Sequence, residues 1–278
     1  MKAGMIVPSK SPWSSPIVIA AKKAANGKTA PRFCVNYKKV NDATVKDAHP
    51  IPRIQDILAH MCQQPRFFSN LDLFCGFNQI GLTERAQLIS AFVTPLGQYH
   101  YLRMPFGLCN APATFQRVMN DIFRDMIGKV MHVYINDITI YTTTFNEHME
   151  VLEEILKRIR SHGMFLKPKK CFVAVEELQL LGHIINQEGV KTDPAKVSAV
   201  QEYPTPESKT EVRAFMGLIG YYCHYIPGCS KITEPINRTL KKDIPFSWTD
   251  EAQNAFETLK RILTQAPILT HPDFTKPF

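Results

Sequence analysis

Asp72 and Asp137 have surroundings that could turn them into metal ligands. Asp72 lies near the end of the apolar run FFSNLDL at 67–73, and Asp137 follows Tyr134-Ile135-Asn136 at the tip of an expected hairpin. Met131, Val133, Ile135, Ile138 and Ile140 flank that tip and read as core-facing, so each acid sits where a strand meets solvent. Adjacent strands lie about 5 Å apart, which lets acids at neighbouring strand ends share a divalent ion. Aspartate at such an end is also an ordinary turn former, and spacing alone leaves both readings open.

Such a pair needs elements to hold it. Two β-type runs at 17–22 and 32–37 around Asn26-Gly27 predict a hairpin carrying basic residues. Pro52 precedes a short helical stretch at 53–61, and β runs at 88–94 and 98–103 flank Pro95-Leu96-Gly97. Asn110 followed by Pro112 marks the start of a helix running to Gly128. Runs at 130–135 and 138–141 pair around Asn136-Asp137 as the turn. Thr144 and Glu147 form a capping box for a helix that ends at His162-Gly163. Residues 164–187 alternate as short strands, with Leu180 to His183 in the last hairpin, and the chain turns helical from Asp193-Pro194. This order fits an α+β fold, a split βαβ sheet with helices on one face.

With 278 residues, 45% of them hydrophobic and 21% charged, the chain can bury a core and is neither disordered nor collagenous. No run reaches the length of a bilayer span and the N-terminus lacks an apolar signal region. The expectation is an intracellular protein, in cytoplasm or nucleus, with no membrane partner. The net charge of +8 is concentrated: the first 53 residues hold ten Lys or Arg against Asp42 and Asp47. A basic element on a neutral body points to nucleic acid or a nucleoside triphosphate, with a solvated arm as the alternative. The seven cysteines, Cys34, Cys62, Cys75, Cys109, Cys171, Cys223 and Cys229, are scattered without a C-x-x-C pair and read as reduced packing residues.

Ten ordered runs carry a resemblance: VPSKSPWSSPIVIAAKK, RFCVNYKKVN, HPIPRI, FFSNLDLFCGFNQI, MPFGLCNAPATFQRVMN, VYINDITIY, KPKKCF, LLGHII, GLIGYY and FSWTDEAQNAFETLK. They extend over about 260 residues, too many for chance matching. The chain resembles the reverse transcriptase of gypsy-type long-terminal-repeat retrotransposons. That resemblance implies a right-hand polymerase with a ferredoxin-like palm sheet. Fingers and palm would occupy 1–187, a helical thumb 188–245, and the start of a connection 246–278, ahead of an absent RNase H domain. It implies RNA-directed DNA polymerisation by nucleotidyl transfer with two Mg²⁺ ions, on a primed RNA or DNA template with deoxynucleoside triphosphates. By the same match Asp72 and Asp137 are metal-binding acids, and Phe77 stacks under the incoming sugar. Lys22 or Lys23, with Arg32, hold the triphosphate, while Phe106 and Gly107 belong to the nucleotide-pocket loop. Leu181, Gly182 and His183 lie in the hairpin that positions the primer terminus.

One position departs from this pattern with consequence. Asn136 occupies the place of the first acid in the family's Tyr-x-Asp-Asp box, so the catalytic set reads Asp72, Asn136, Asp137. An amide oxygen supplies no charge and cannot bridge ions as a carboxylate does. The resemblance with this departure predicts a polymerase domain whose activity is lost or weak. The alternative is a non-catalytic nucleic-acid-binding module, retained as an inactive subunit beside an intact polymerase subunit. Polar drift elsewhere, at Asn36, Lys38, Ile89-Ser90, Lys167 and Cys223-His224, spares the apolar framework.

Overall fold

The computed structural model describes residues 4–23, 29–60, 65–223, 226, 228–241 and 245–264. Packing divides the chain into two compact units, one of Met1–Met61 with Pro65–Val175 and the other of Cys62–Gln64 with Glu176–Phe278.

The first unit contains, in chain order, β1 (Ile6–Pro8), β2 (Ser15–Lys23), β3 (Thr29–Val35), α1 (Lys38–Ala43), α2 (Ile54–His60), β4 (Phe67–Asp72), α3 (Glu84–Ile89), β5 (Phe92–Thr94) and β6 (Gly97–Tyr101). It continues with α4 (Ala111–Ile122), β7 (Met131–Tyr134), β8 (Asp137–Thr142), α5 (Phe145–Ser161) and β9 (Phe172–Val175). One five-stranded sheet has the order β1-β6-β5-β2-β3, and a four-stranded sheet has the order β7-β8-β4-β9. The basic hairpin is β2–β3, antiparallel with Ile17 opposite Val35 and Ala20 opposite Arg32. Its loop at 24–28, with Asn26-Gly27, lies outside the described residues.

The four-stranded sheet is buried on both faces over most of its length, and one face packs against helices. Leu71 of β4, Val133 of β7, and Ile138 and Ile140 of β8 share a core with Phe115 and Met119 of α4 and with Leu152, Ile155 and Ile159 of α5. Apolar residues at i, i+3, i+4 and i+7 give each helix one stripe toward that face. Fully burying a side chain of this size contributes about 2 kcal/mol, so the stripes fix which face the helices cover. The alternating residues Asn70, Asp72, Asp137 and Thr139 are left on the opposite face. The Thr144–Glu147 start of α5 forms as expected, with Glu147 N donating to Thr144 Oγ1 at 3.4 Å.

Three local expectations change. The β run predicted from 88 begins only at Phe92, because Thr83 Oγ1 accepts from Ala86 N and caps α3, which takes in Leu88. Helix α4 stops at Ile122 rather than Gly128, where fully buried Phe123 leaves helical geometry. The Asn110 side chain does not cap that helix. The turn between β7 and β8 is Ile135-Asn136, not Asn136-Asp137, because Tyr134 pairs with Asp137 and makes Asp137 the first residue of β8.

The second unit holds β10 (Glu177–Leu180), β11 (His183–Asn186), β12 (Gly189–Thr192), α6 (Pro194–Gln201), α7 (Lys209–Tyr222), α8 (Cys229–Arg238) and α9 (Asp250–Thr264). Its three strands form a separate antiparallel sheet in the order β10-β11-β12, and the Tyr222 hydroxyl donates to the Gly182 carbonyl at 3.1 Å. The helical core is Val212, Phe215 and Ile219 of α7 against Ala252, Phe256, Leu259 and Leu263 of α9. No helix of the described residues is long and apolar enough to cross a membrane.

Two cysteines are not the reduced packing residues expected. Cys223, at the end of α7, and Cys229, opening α8, are joined in a disulfide with a Cα–Cα distance of 5.6 Å, whereas Cys34, Cys75, Cys109 and Cys171 are free. Six residues of separation match no sequence motif, and only the corner between two helices brings the sulfurs together. In denatured, unreduced protein Cys223 and Cys229 will resist alkylation while Cys34, Cys75, Cys109 and Cys171 are labelled. Peptide mapping before and after reductant checks this, and labelling of Cys223 without reductant refutes the pairing.

Candidate active site

Strands β4 and β8 run antiparallel with Asp72 directly opposite Asp137, so the two carboxylates belong to one cross-strand pair at the end of the sheet face turned away from α4 and α5, a face whose inner residues Phe68, Asn70, Thr139 and Tyr141 are buried. Asn70 and Thr139, one step inward on the same face, are also opposite one another, and Thr139 Oγ1 donates to Asn70 Oδ1 at 3.3 Å. Lys170 closes the outer side, its Nζ 3.0 Å from Asp72 Oδ2. It is brought there by a 3₁₀ turn at Pro168–Lys170, itself tethered by Lys167 N donating to the Asp72 carbonyl at 2.8 Å. The Asp72 carboxylate raises the Lys170 ammonium above its usual range.

Burial pushes the Asp137 carboxyl above the usual aspartate range. A hydrogen bond from Asn70 works against that shift, the negative charge of Asp72 adds to it, and the positive charge of Lys170 opposes it. Two like charges on adjacent strands thus share one lysine, an arrangement that favours an added cation.

Asn136 joins the acids in sequence but not in function-ready orientation. Its Oδ1 is buried and has no hydrogen-bond partner. The reason is Gly76: a Cβ there would overlap Asn136 Oδ1 and stand 2.9 Å from Phe115 Cζ. The amide oxygen is packed onto the bare Cα of Gly76 rather than directed to solvent. The turn that carries it is strained, with Ile135, a β-branched residue, at φ +53°. Fully buried Gln116 of α4 holds it, accepting from Ile135 N at 2.9 Å and donating to the Val133 carbonyl at 3.0 Å.

Phe77 lies just beyond β4 in a 3₁₀ turn at Gly76–Gln79, entered through Cys75 in the left-handed region at φ +48°. Its ring packs 5.1 Å from that of Phe106 and 5.5 Å from that of Phe115, centroid to centroid. The structure therefore brings together Asp72, Asp137, Asn136, Phe77, Phe106 and Gly107 within the first unit. Lys22, Lys23 and Arg32 lie on the strands of the basic hairpin, and their side chains are outside the described residues. Leu181, Gly182 and His183 belong to the second unit. Leu181 and Gly182 form the β10–β11 turn at φ +48° and +82°, and buried His183 packs edge-on to Tyr222 at 6.0 Å. Sequence reasoning passed over Asn70, Gln116 and the specific role of Lys170. The signal for Asn70 was present in the polar-apolar alternation Asn70-Leu71-Asp72, whereas Lys170 had the look of a surface-loop charge.

A family model described as reverse transcriptase (RNA-dependent DNA polymerase) matches residues 21–185. The chain belongs to the reverse transcriptase family. A second model, an RNase H-like domain found in reverse transcriptase, matches residues 248–278. Among curated relatives, the retrovirus-related Pol polyprotein from transposon 297 of Drosophila melanogaster is 40% identical over the whole chain, and that from transposon gypsy of the same organism is 36% identical. The chain spans only 26% and 28% of those two polyproteins. Among solved structures, a foamy viral protease-reverse transcriptase in complex with dsDNA is similar with a TM-score of 0.89 and 26% identity, covering 99% of this chain and 57% of that one. The same kind of protein in complex with an RNA/DNA hybrid gives 0.86 and 25%, covering 98% and 36%. The fold is the α+β polymerase fold, and the site described above sits on a reverse-transcriptase domain of the retrotransposon type.

Ionised Asp137 lowers the stability of this domain, since its carboxyl titrates higher folded than unfolded and the folded state holds the proton more tightly. Stability is therefore lost as pH rises through the range above the ordinary aspartate value. Asp137→Asn will raise Tm at neutral pH, and the gain will shrink as pH falls through the carboxylate range. Calorimetry from pH 3 to pH 7, about that range, checks it; a gain independent of pH refutes it.

Proposed function

We propose that this chain is an RNA-directed DNA polymerase domain whose nucleotidyl-transfer step is impaired at one metal ligand. The observation that carries the reading is the Asp72–Asp137 pair beside a buried, partnerless Asn136 Oδ1. The donor set fits a hard divalent cation between Asp72 and Asp137, both of which would supply carboxylate oxygens. Such an ion, Mg²⁺ in this family, activates a primer hydroxyl and offsets the charge of a triphosphate when bound. Two ions fit less well, because the third family position is a neutral amide whose oxygen is enclosed against Gly76. One unit charge about 4 Å from a divalent ion represents on the order of 8 kcal/mol of raw attraction at an effective dielectric of 20. Retaining even a quarter of that deficit slows the reaction by more than about tenfold.

The chain's own residues would divide the remaining work. Lys170 neutralises Asp72. Phe77, held between Phe106 and Phe115, offers an apolar wall to a sugar. The basic hairpin, with Lys22, Lys23 and Arg32, supplies charge for a triphosphate. Leu181, Gly182 and His183 would support the primer end, and a primed RNA or DNA template is the polyanion that the +8 charge suits. The second reading, a non-catalytic nucleic-acid-binding module, is favoured by the same enclosed amide.

Primer extension on an RNA template with Mg²⁺, comparing the chain with Asn136→Asp at equal primer-template occupancy, separates the two. The expected outcome is extension at least about tenfold faster in the Asp variant. Equal rates would contradict impairment at Asn136. Salt-dependent binding with no extension by either chain would favour the binding module.

A further inference from the structure

Residues 105–110, which carry Phe106 and Gly107, are fastened to the root of the basic hairpin by two asparagines that act on each other's segments. Asn41 lies in α1, just after β3. Its Nδ2 donates to the Gly107 carbonyl at 2.8 Å and its Oδ1 accepts from Cys109 N at 2.9 Å. Asn110 closes the loop from the other side. Its Nδ2 donates to the Val45 carbonyl at 2.9 Å and its Oδ1 accepts from Asp47 N at 3.0 Å. Each amide thus uses a donor and its acceptor on the main chain of the opposite segment.

The backbone at Gly107 is held in a conformation that residues with side chains rarely adopt. Gly107 has φ +99°, and a Cβ there would stand 3.4 Å from Tyr37 Cδ2 and 3.6 Å from the Val35 carbonyl. Tyr37 is itself fixed, with its hydroxyl donating to the Ser90 carbonyl at 2.8 Å. Phe106 is left 43% exposed, with one face toward Phe77. Surface loops ordinarily turn their main-chain groups to water and sample several shapes. Here the peptide groups on the C-terminal side of Phe106 are already committed, so the direction of its ring is set before any ligand arrives.

We propose that Asn41 is a positioning residue for the incoming nucleotide: by holding the Gly107–Cys109 backbone it keeps Phe106 against Phe77 and maintains the loop in its binding-competent shape. This rests on the nucleotidyl-transfer reading above. Asparagine is required because one group must donate while its neighbour accepts. Aspartate would set a second acceptor against the Gly107 carbonyl, and alanine would leave both main-chain groups to water. If release of the clamp leaves about one loop in ten competent, apparent nucleotide affinity falls tenfold.

The test uses the full chain carrying Asn136→Asp, alone and with Asn41→Asp or Asn41→Ala. Each is bound with Mg²⁺ to a primer-template whose primer ends in a dideoxynucleotide, so that no chemistry follows. The dissociation constant of the next complementary deoxynucleoside triphosphate is read from the ternary complex, and that of the primer-template from the binary one. The expected result is a rise of about tenfold or more in the nucleotide constant, with the primer-template constant within about twofold. Nucleotide affinity unchanged in both variants overturns the proposal. So does an equal loss of primer-template affinity, or failure of both variants to fold, since either marks a merely structural residue. A parent chain that binds primer-template but no nucleotide overturns the nucleotide reading itself, and the clamp with it.

Discussion

The register of β4 against β8 is the constraint on which the site depends. Because side chains alternate at every residue, the pairing that sets Leu71 opposite Ile138 in the helix-side core also sets Asp72 opposite Asp137 on the other face, at the strand ends. A slip of one residue would drive both acids into the core under α4 and α5, so the packing of those helices holds the register that places the acids. The turn obeys the same register. Tyr134 and Asp137 close it, leaving Ile135 to take a left-handed conformation that its branched side chain resists. Gln116 meets that resistance by satisfying two main-chain groups of the hairpin from a fully buried position.

The end of the face that carries the acids is electrostatically unfinished. Lys170 pairs with Asp72, and Asn70 supports Asp137, yet two carboxylates remain with one full positive charge between them. Natural sites of this kind sacrifice stability to keep a place for a ligand. The neutral amide of Asn136 adds no third negative charge to that repulsion, and it folds inward. Gly76 is what allows it, since any side chain at that position would occupy the space taken by Asn136 Oδ1. A glycine that elsewhere would serve a turn here serves the packing of Asn136.

Much of this was legible in the sequence, for identifiable reasons. The apolar run at 67–73 and the β-rich runs at 130–135 and 138–141 located β4 and the β7–β8 hairpin, the capping pair Thr144 and Glu147 located α5, and the strand ends located the two acids. What escaped was set by tertiary pairing. The exact turn residues could not be read, because Asn136-Asp137 has better local turn chemistry than Ile135-Asn136 and only the strand register chooses between them. Asn110 has the form of a helix cap, but its amide is recruited by Val45 and Asp47, distant in sequence. Lys170 reaches Asp72 across nearly a hundred residues of chain, and Cys223 meets Cys229 only because two helices turn a corner. Each is set by tertiary packing and has no local signature in the sequence.

The far end of the same strands shows how the sheet keeps its register while the acids strain it. His148 of α5 is fully buried, with Nε2 2.6 Å from Ser69 Oγ on β4 and Nδ1 2.8 Å from Thr142 Oγ1 on β8. Thr142 Oγ1 donates to the Thr144 carbonyl at 3.2 Å, and Ser69 Oγ accepts from Ala174 N of β9 at 2.9 Å. In the neutral ring all four contacts are satisfied with Nδ1–H donating to Thr142 and the serine hydroxyl donating to Nε2. Burial favours that neutral ring and holds its pKa below the usual histidine range. By linkage its contribution is complete above the unfolded value and is lost as pH falls from there through the folded one. Asp137 runs the other way, its ionised form costing stability as pH rises. As pH rises the histidine network becomes whole while the aspartate gives up its proton. The sheet is then best tied together at the end away from the site while least content at the site itself, the condition in which a cation gains most by binding there.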